Sequence, residues 1–355
     1  MKPTYVLHRR EPPDHRQFLK VLDRRGDRGY VPFFEMIPNY FAELSGVEPP
    51  PVLDFTNRSP HYLSSFGFYF QAMARMGFDL GIINLCGFRG FPGRHPAGKV
   101  QAGDGAIATW ADFEAYPWPG ADQINVETMA ATARLAPEGM GVWTGGPAPF
   151  QVTMDELLGF DRLAFLLYDD PGLVRAIADR IGAIMVDVID LCCSLPFIAG
   201  FEFSGDMGHK TATMVSPDAL RTYFLPWHRK ACEAAHRHGK KIILHSCGNL
   251  AAIMDDVVAC GYDGKHSFED TIEPGILDLH ARYGRRLALL GGVDVNFLCQ
   301  ASEEAIRRRV RELIDAMAPA GGYCLGSGNS VPAYVPIEKY WAMLDEGLRY
   351  GRAAC

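Results

Sequence analysis

With 355 residues, 48% hydrophobic and 22% charged, the chain has the composition of an ordinary globular protein, long enough for one α/β barrel or two smaller domains. A net charge of -7 with no lysine- or arginine-rich block standing on one face argues against nucleic acid and anionic membrane as partners. The opening MKPTYVLHRREPPDHRQF lacks the apolar stretch of a signal peptide, and no later segment approaches the roughly eighteen apolar residues of a membrane span, so a cytoplasmic protein is expected. Nine scattered cysteines do not make a disulfide scaffold and read mostly as reduced structural residues; Cys192-Cys193 falls in a helical pattern and Cys355 ends the sequence, so neither suggests a ligand pair, and the terminal thiol reads as incidental.

In chain order, residues 1–29 read as a lead-in, with a helix from Asp14 to Asp27 that carries Phe18, Leu19 and Leu22 on one side and stops at Gly29. Tyr30 to Glu35 reads as a first strand, His61 to Met76 as an amphipathic helix closed by Gly77, and Leu80 to Leu85 as a second strand. From Cys86 to Gln123 the chain is rich in Gly, Pro and aromatics, too long for a mere connection; either it covers an active-site mouth or it is an ordered surface excursion with a small hairpin. Helical spacing returns at Ile124 to Ala136, then a strand and turn at Gly141 to Pro147, and helices at Met154 to Tyr168 and Pro171 to Leu195. Phe197 to Asp206 reads as a strand, and Ser216 opens a helix that reaches His238, kinked at Pro226 and closed by Gly239.

Next comes KIILHSCGN, Lys241 to Asn249, a buried strand that runs into a histidine and a cysteine. Residues i and i+2 of a strand share a face, so His245 and Cys247 point the same way. A further strand, Gly321 to Leu325, carries Cys324 into the glycine-rich GSGNS. One histidine and two thiolates suit zinc with an open fourth position, but a core histidine with two small buried thiols fits the residues equally well. Both readings stand at this level.

Helix and strand alternate again through Leu250–Cys260, Gly264–Glu269, Ile272–Tyr283, Leu287–Asp294, Glu303–Met317 and Pro336–Tyr350. The count is eight strands, each followed by a helix, which predicts a single-domain (β/α)8 TIM barrel over residues 30–351 behind the lead-in. Catalytic residues of such barrels lie at the carboxyl ends of strands. Glu35, Asn84, Glu202, Asp206, His245, Cys247, Glu269, Asp294, Cys324 and Asn329 collect at those ends, and the metal reading moves ahead.

GGPAPF, the DMG of FSGDMGHK, SPDALRTYFLPWHRK, HGKKIILHSCGNL, YGRRLALLGGVD and GGYCLGSGNSVP, in this order, resemble the uroporphyrinogen decarboxylase superfamily over roughly residues 14 to 351. Decarboxylases of that family have an arginine-rich segment after the first strand and an aspartate near the end of the second; here those places read EMIPNYFAEL and GIINLCG, without arginine clamps for a polycarboxylate. The zinc-dependent cobamide methyltransferase branch, of the methylcobamide:coenzyme M methyltransferase type, has a His-x-Cys…Cys motif that His245, Cys247 and Cys324 match. The resemblance implies zinc on those three residues, a thiol substrate activated on the metal, and a methyl group held on the cobalt of a corrinoid. No Asp-x-His-x-x-Gly corrinoid signature occurs in the sequence, so a separate corrinoid protein is implied as partner.

Asp206, Glu202 and Glu269, and with them Asp294, are the candidate acids, as a fourth ligand, a partner of His245 or an acceptor of the thiol proton, with Asp206 foremost because it lies in the DMG segment. Each could instead cap a helix or sit on the barrel rim. Asn84, Asn249 and Asn329 are candidates for binding the cofactor; His209 and His266 are weaker, and His236 and His238 read as helix-end residues. Two alternatives accompany the methyltransferase reading: a metal-free decarboxylase of porphyrinogen type, and a non-catalytic barrel that binds a corrinoid or a partner protein.

Overall fold

The computed structural model describes residues 5–7, 11–27, 29–36, 40–93, 105–269 and 271–353; Cys355 and residues 94–104 of the excursion lie outside them. Seven strands form in it, β1 Leu80–Ile83, β2 Gly141–Pro147, β3 Gly200–Ser204, β4 Lys241–His245, β5 Gly264–His266, β6 Ala288–Leu290 and β7 Tyr323–Cys324. Their order in the sheet is their order in the chain. Helices stand between them, so the protein is an α/β fold with parallel pairing, as short apolar strands alternating with helices dictate. No helix among the described residues is long and apolar enough to cross a membrane.

The eight-strand count is corrected by one. Tyr30 to Glu35 contributes a single parallel bridge, Phe33 to Leu325, instead of a strand. Pro32 has no N–H to extend a ladder, and only its carbonyl is used. Other boundaries move for local reasons. The predicted helix over Met154–Tyr168 is broken at Gly159, whose φ of 80° favours glycine, into a π-helical turn, Thr153–Leu158, and a helix, Phe160–Asp169. The kink at Pro226 takes the form of a π-helical turn, Leu220–Phe224, directly before the helix Leu225–Arg237. The excursion carries a short helix, Trp110–Ala115, with a capping box between Thr109 and Asp112.

The chain divides into two compact units. The first comprises Met1–Asn84, Glu127–Trp143 and Asp263–Cys355. In it β5, β6 and β7 pair in parallel, with Leu289 opposite Tyr323 and Leu290 opposite Cys324. Its core includes Phe18 edge-on to Trp143 at 5.5 Å and Phe33 edge-on to Phe78 at 5.6 Å between centroids. The lead-in helix, His15–Leu22, buries Phe18, Val21 and Leu22 there and is capped by Asp14, which accepts from the Arg16 N–H.

The second unit comprises Leu85–Val126 and Thr144–Tyr262. Here β3 and β4 pair in parallel from Gly200 opposite Lys241 to Ser204 opposite His245. Partners in register share a face, so Glu202, Ser204, Ile243 and His245 project on the same side. The long helix Pro171–Ser194 starts at the Asp170 cap with Pro171 in its first turn, and buries Ile177, Ile181, Met185 and Ile189.

Candidate metal centre

His245 is the last residue of β4, and the chain beyond it turns at Ser246-Cys247-Gly248. The loop after β3 folds into a small hairpin, with Gly208 bridging Thr213 and the Met214 N–H donating to the Met207 carbonyl at 2.8 Å. These two loops touch backbone to backbone. A Cβ on Gly208 would stand 2.6 Å from the Asn249 nitrogen, and one on Gly248, whose φ is 80°, would stand 2.2 Å from the Gly208 carbonyl. Only glycine allows that approach. Asp206 reaches the β4 loop as a result.

The Cys247 N–H donates to Asp206 Oδ1 at 2.7 Å, Cys247 Sγ lies 3.4 Å from His245 Nε2, and His245 Nε2 lies 3.8 Å from Asp206 Oδ1. One donor atom from each of Asp206, His245 and Cys247 falls within 4.8 Å of the others. His245 is buried, while Asp206 and Cys247 are partly exposed, so the cluster can be reached from solvent. At ordinary zinc bond lengths two donors at tetrahedral corners stand about 3.5 Å apart, which the observed separations approach. Thiolate, imidazole and carboxylate together are a zinc-type donor set. The residues present therefore fit such an ion.

Around the trio, Ser246 Oγ accepts from the Met207 N–H at 3.1 Å and Gln151 Oε1 accepts from the Asp206 N–H at 3.2 Å. Gln151 in turn donates through Nε2 to Asp155 Oδ2 at 3.2 Å. Burial raises the Asp155 carboxyl above its ordinary range, with Glu156 and Asp206 adding to the effect. The sequence reading missed Gln151 and Asp155. The one local signal for them was Pro149 at the start of a helix just beyond the carboxyl end of β2. Glu202 is buried on β3 and accepts from the Ser204 hydroxyl. Burial pushes its carboxyl up to about 7, and the nearby Asp206 charge acts in the same direction.

The remaining predicted residues fall as follows. Cys324 is fully buried at the end of β7 in the first unit. Also in that unit, Glu269 Oε1 accepts from Asn329 Nδ2 at 3.2 Å, and Asn84 Nδ2 donates to the Phe55 carbonyl at 2.9 Å. Asn249 Oδ1 accepts from the Ala251 N–H at 2.9 Å, a local turn contact. Asp294 caps the helix Val295–Gln300 by accepting from the Phe297 N–H. His266 is buried with its ring edge-on to Phe34 at 5.1 Å, and His209 is exposed. His238 Nε2 lies 3.0 Å from Asp190 Oδ1 just past the helix end. Cys192 and Cys193 are buried in their helix, where desolvation pushes both thiols up to about 12. None of the described cysteines forms a disulfide.

The fold and this cluster define an α/β protein with a candidate metal-binding centre at strand ends. The sequence profile of uroporphyrinogen decarboxylase (URO-D) matches residues 104–350, and the chain belongs to that family. A curated uroporphyrinogen decarboxylase of Cupriavidus pinatubonensis is 38% identical over 74 residues, 20% of this chain and 20% of that protein's length. The chain is also similar to a solved methyltransferase from Methanosarcina mazei, with a TM-score of 0.73 at 16% identity over 96% of this chain and 99% of that one. At that identity the likeness concerns the fold.

Proposed function

We propose that the chain is a zinc-dependent methyltransferase of the cytoplasm, built on a (β/α)8-type barrel in which the Tyr30–Glu35 segment takes the place of the eighth strand. It would move a methyl group between a corrinoid carried by a partner protein and a thiol or related small substrate. The observation that carries this reading is the approach of His245 Nε2, Cys247 Sγ and Asp206 Oδ1 at strand ends. His245 and Cys247, with Cys324 as the third ligand, would hold the zinc, which lowers the pKa of a bound thiol and presents a nucleophilic thiolate at neutral pH. In the overall reaction a sulfur–carbon bond forms and the cobalt–carbon bond breaks, its electron pair staying on cobalt.

Asp206 is oriented by the Cys247 N–H and can act as a fourth donor that yields to substrate. Glu202 Oε1, facing the Ser204 hydroxyl, is the proposed acceptor of the thiol proton, since a carboxyl brought near neutrality by burial exchanges protons easily at physiological pH. Glu269, Asn329, Asn84 and Asn249 are the proposed contacts to substrate or corrinoid. A metal-free decarboxylase is the second reading, favoured by the family match and by the name of the curated relative. Against it stands the absence of arginine from EMIPNYFAEL.

Metal analysis of the purified chain beside a Cys247→Ser, Cys324→Ser double variant tests the proposal. The expected result is about one zinc per chain that the double variant loses, together with demethylation of methylcobalamin in the presence of thiols. A chain that takes up no zinc under reducing conditions would overturn it.

A further inference from the structure

The glycine-rich loop that leaves β7 is fastened within the first unit by a carboxyl group that takes over from the backbone. The Leu325 N–H donates to the Pro32 carbonyl at 3.0 Å and the Phe34 N–H to the Leu325 carbonyl at 3.0 Å, the pattern of a parallel ladder. Continued by one step, that ladder would carry the Ser327 N–H to the Phe34 carbonyl. Instead the chain turns away, and the Ser327 N–H donates to Glu35 Oε1 at 2.8 Å. The turn is tight, since a Cβ on Gly326 would stand 2.0 Å from the Phe34 oxygen and one on Gly328 would stand 2.2 Å from the Phe268 oxygen. A loop so closely threaded transmits any displacement of Ser327 to its neighbours.

Glu35 Oε2 lies 2.6 Å from Ser327 Oγ, and the same Oγ is also in hydrogen-bond contact with the Asn329 carbonyl oxygen. A hydroxyl has a single proton to donate, and a carbonyl oxygen has none. If Ser327 donates to Asn329, its contact with Glu35 needs a proton on Oε2. Glu35 is 3% exposed and has no ion-pair partner among the described residues, so an ionised carboxylate there would be desolvated with only hydrogen bonds from neutral groups, and no opposite charge, to offset the cost. Tyr340, buried on the helix Ile337–Ala353, has its hydroxyl near this carboxyl but makes no well-aligned hydrogen bond with it. Burial pushes the Glu35 carboxyl up to about 8, in keeping with the proton count.

We propose that Glu35 is a neutral carboxylic acid that accepts the Ser327 N–H through one oxygen, donates to Ser327 Oγ through the other, and thereby positions the loop bearing Cys324 for metal binding. Glu35 is a positioning residue, acting through Ser327, which follows Cys324 after Leu325 and Gly326. The protonation stands on the first unit alone; the positioning of a ligand rests on the reading of Cys324 as one.

The test compares wild type, Glu35→Gln, Glu35→Ala, Ser327→Ala and Cys324→Ser by infrared spectroscopy and by titration with Co2+. Glutamine reproduces the neutral acid, with its carbonyl toward the Ser327 N–H and its amide N–H toward Oγ. At neutral pH the wild type should show a protonated-carboxyl band that Glu35→Gln lacks. Glu35→Gln should keep the wild-type Co2+ affinity and thiolate-to-cobalt absorption. Glu35→Ala and Ser327→Ala should weaken Co2+ binding by roughly tenfold or more and alter that absorption.

Two results overturn the neutral acid: no carboxyl band lost in Glu35→Gln, or Glu35→Gln as impaired as Glu35→Ala. Wild-type Co2+ binding by folded Ser327→Ala, or by folded Glu35→Ala, overturns the positioning. If Glu35→Ala does not fold, Ser327→Ala decides by itself. Unchanged cobalt absorption in Cys324→Ser removes the ligand reading, and with it the positioning claim, while the infrared comparison still decides the protonation.

Discussion

Glu202→Gln gives a measurable consequence of burying a carboxyl on β3. In the folded metal-free chain, burial pushes this group up to about 7 from an ordinary 4.5. The unfolded chain gives up its proton near the ordinary value. Between those two values the folded state holds a proton that the unfolded state has lost, so stability falls as pH rises through the window and levels off above about 7. At about 1.4 kcal/mol for each tenfold change in proton affinity, complete ionisation costs the fold about 3 kcal/mol.

Glutamine keeps an acceptor for the Ser204 hydroxyl and cannot ionise. Urea denaturation of metal-stripped wild type and Glu202→Gln, on both sides of the window, reads the effect. The variant should gain about 3 kcal/mol relative to wild type between the acidic and the alkaline side. Parallel pH dependences would refute the argument, because they would mean that Glu202 titrates alike in the folded and unfolded chains.

Three further substitutions separate structure from site. Gly248→Ala forces a Cβ to 2.2 Å from the Gly208 carbonyl in a left-handed conformation that by itself costs about 1–2 kcal/mol; thermal melting should show a loss larger than that, together with weaker zinc binding. Asp206→Asn keeps an acceptor for the Cys247 N–H but removes the charge, so zinc affinity, read by competition with a chelator, should fall roughly tenfold or more while the melting temperature stays near wild type. Asp294→Ala deletes the cap of Val295–Gln300 and should lower stability by about 1 kcal/mol in denaturant titrations without changing zinc affinity.

Much of the architecture was legible because it rests on short-range patterns. Gly77 closes the helix Tyr62–Met76 with a φ of 103°, and Asp170-Pro171 opens the helix Pro171–Ser194; both signals lie within a turn of the element they bound. The same holds for half of the candidate site. His245 and Cys247 are two residues apart at the end of an apolar strand, a spacing that already suggests a shared side, although Cys247 itself lies in the loop just beyond β4. Even the strand that failed to form has a local reason, since Pro32 removes a donor.

What only the tertiary structure decided depends on atoms distant in the chain. Asp206 was one of several acids at strand ends; the close passage of Gly208 and Gly248 singles it out by bringing its carboxylate to the Cys247 N–H. Asp294, which like Asp206 ends a strand predicted from the sequence, is instead occupied by a helix cap. Gln151 and Asp155 approach Asp206 only after the helix Pro149–Val152 packs beside the β3 loop, and no periodicity in the sequence encodes that contact. The Glu35–Ser327 clamp joins residues 292 positions apart. Periodicity fixes which face of an element a side chain occupies, but a hydrogen bond needs donor and acceptor about 3 Å apart to within a few tenths of an ångström, and that distance is set by how separate elements pack.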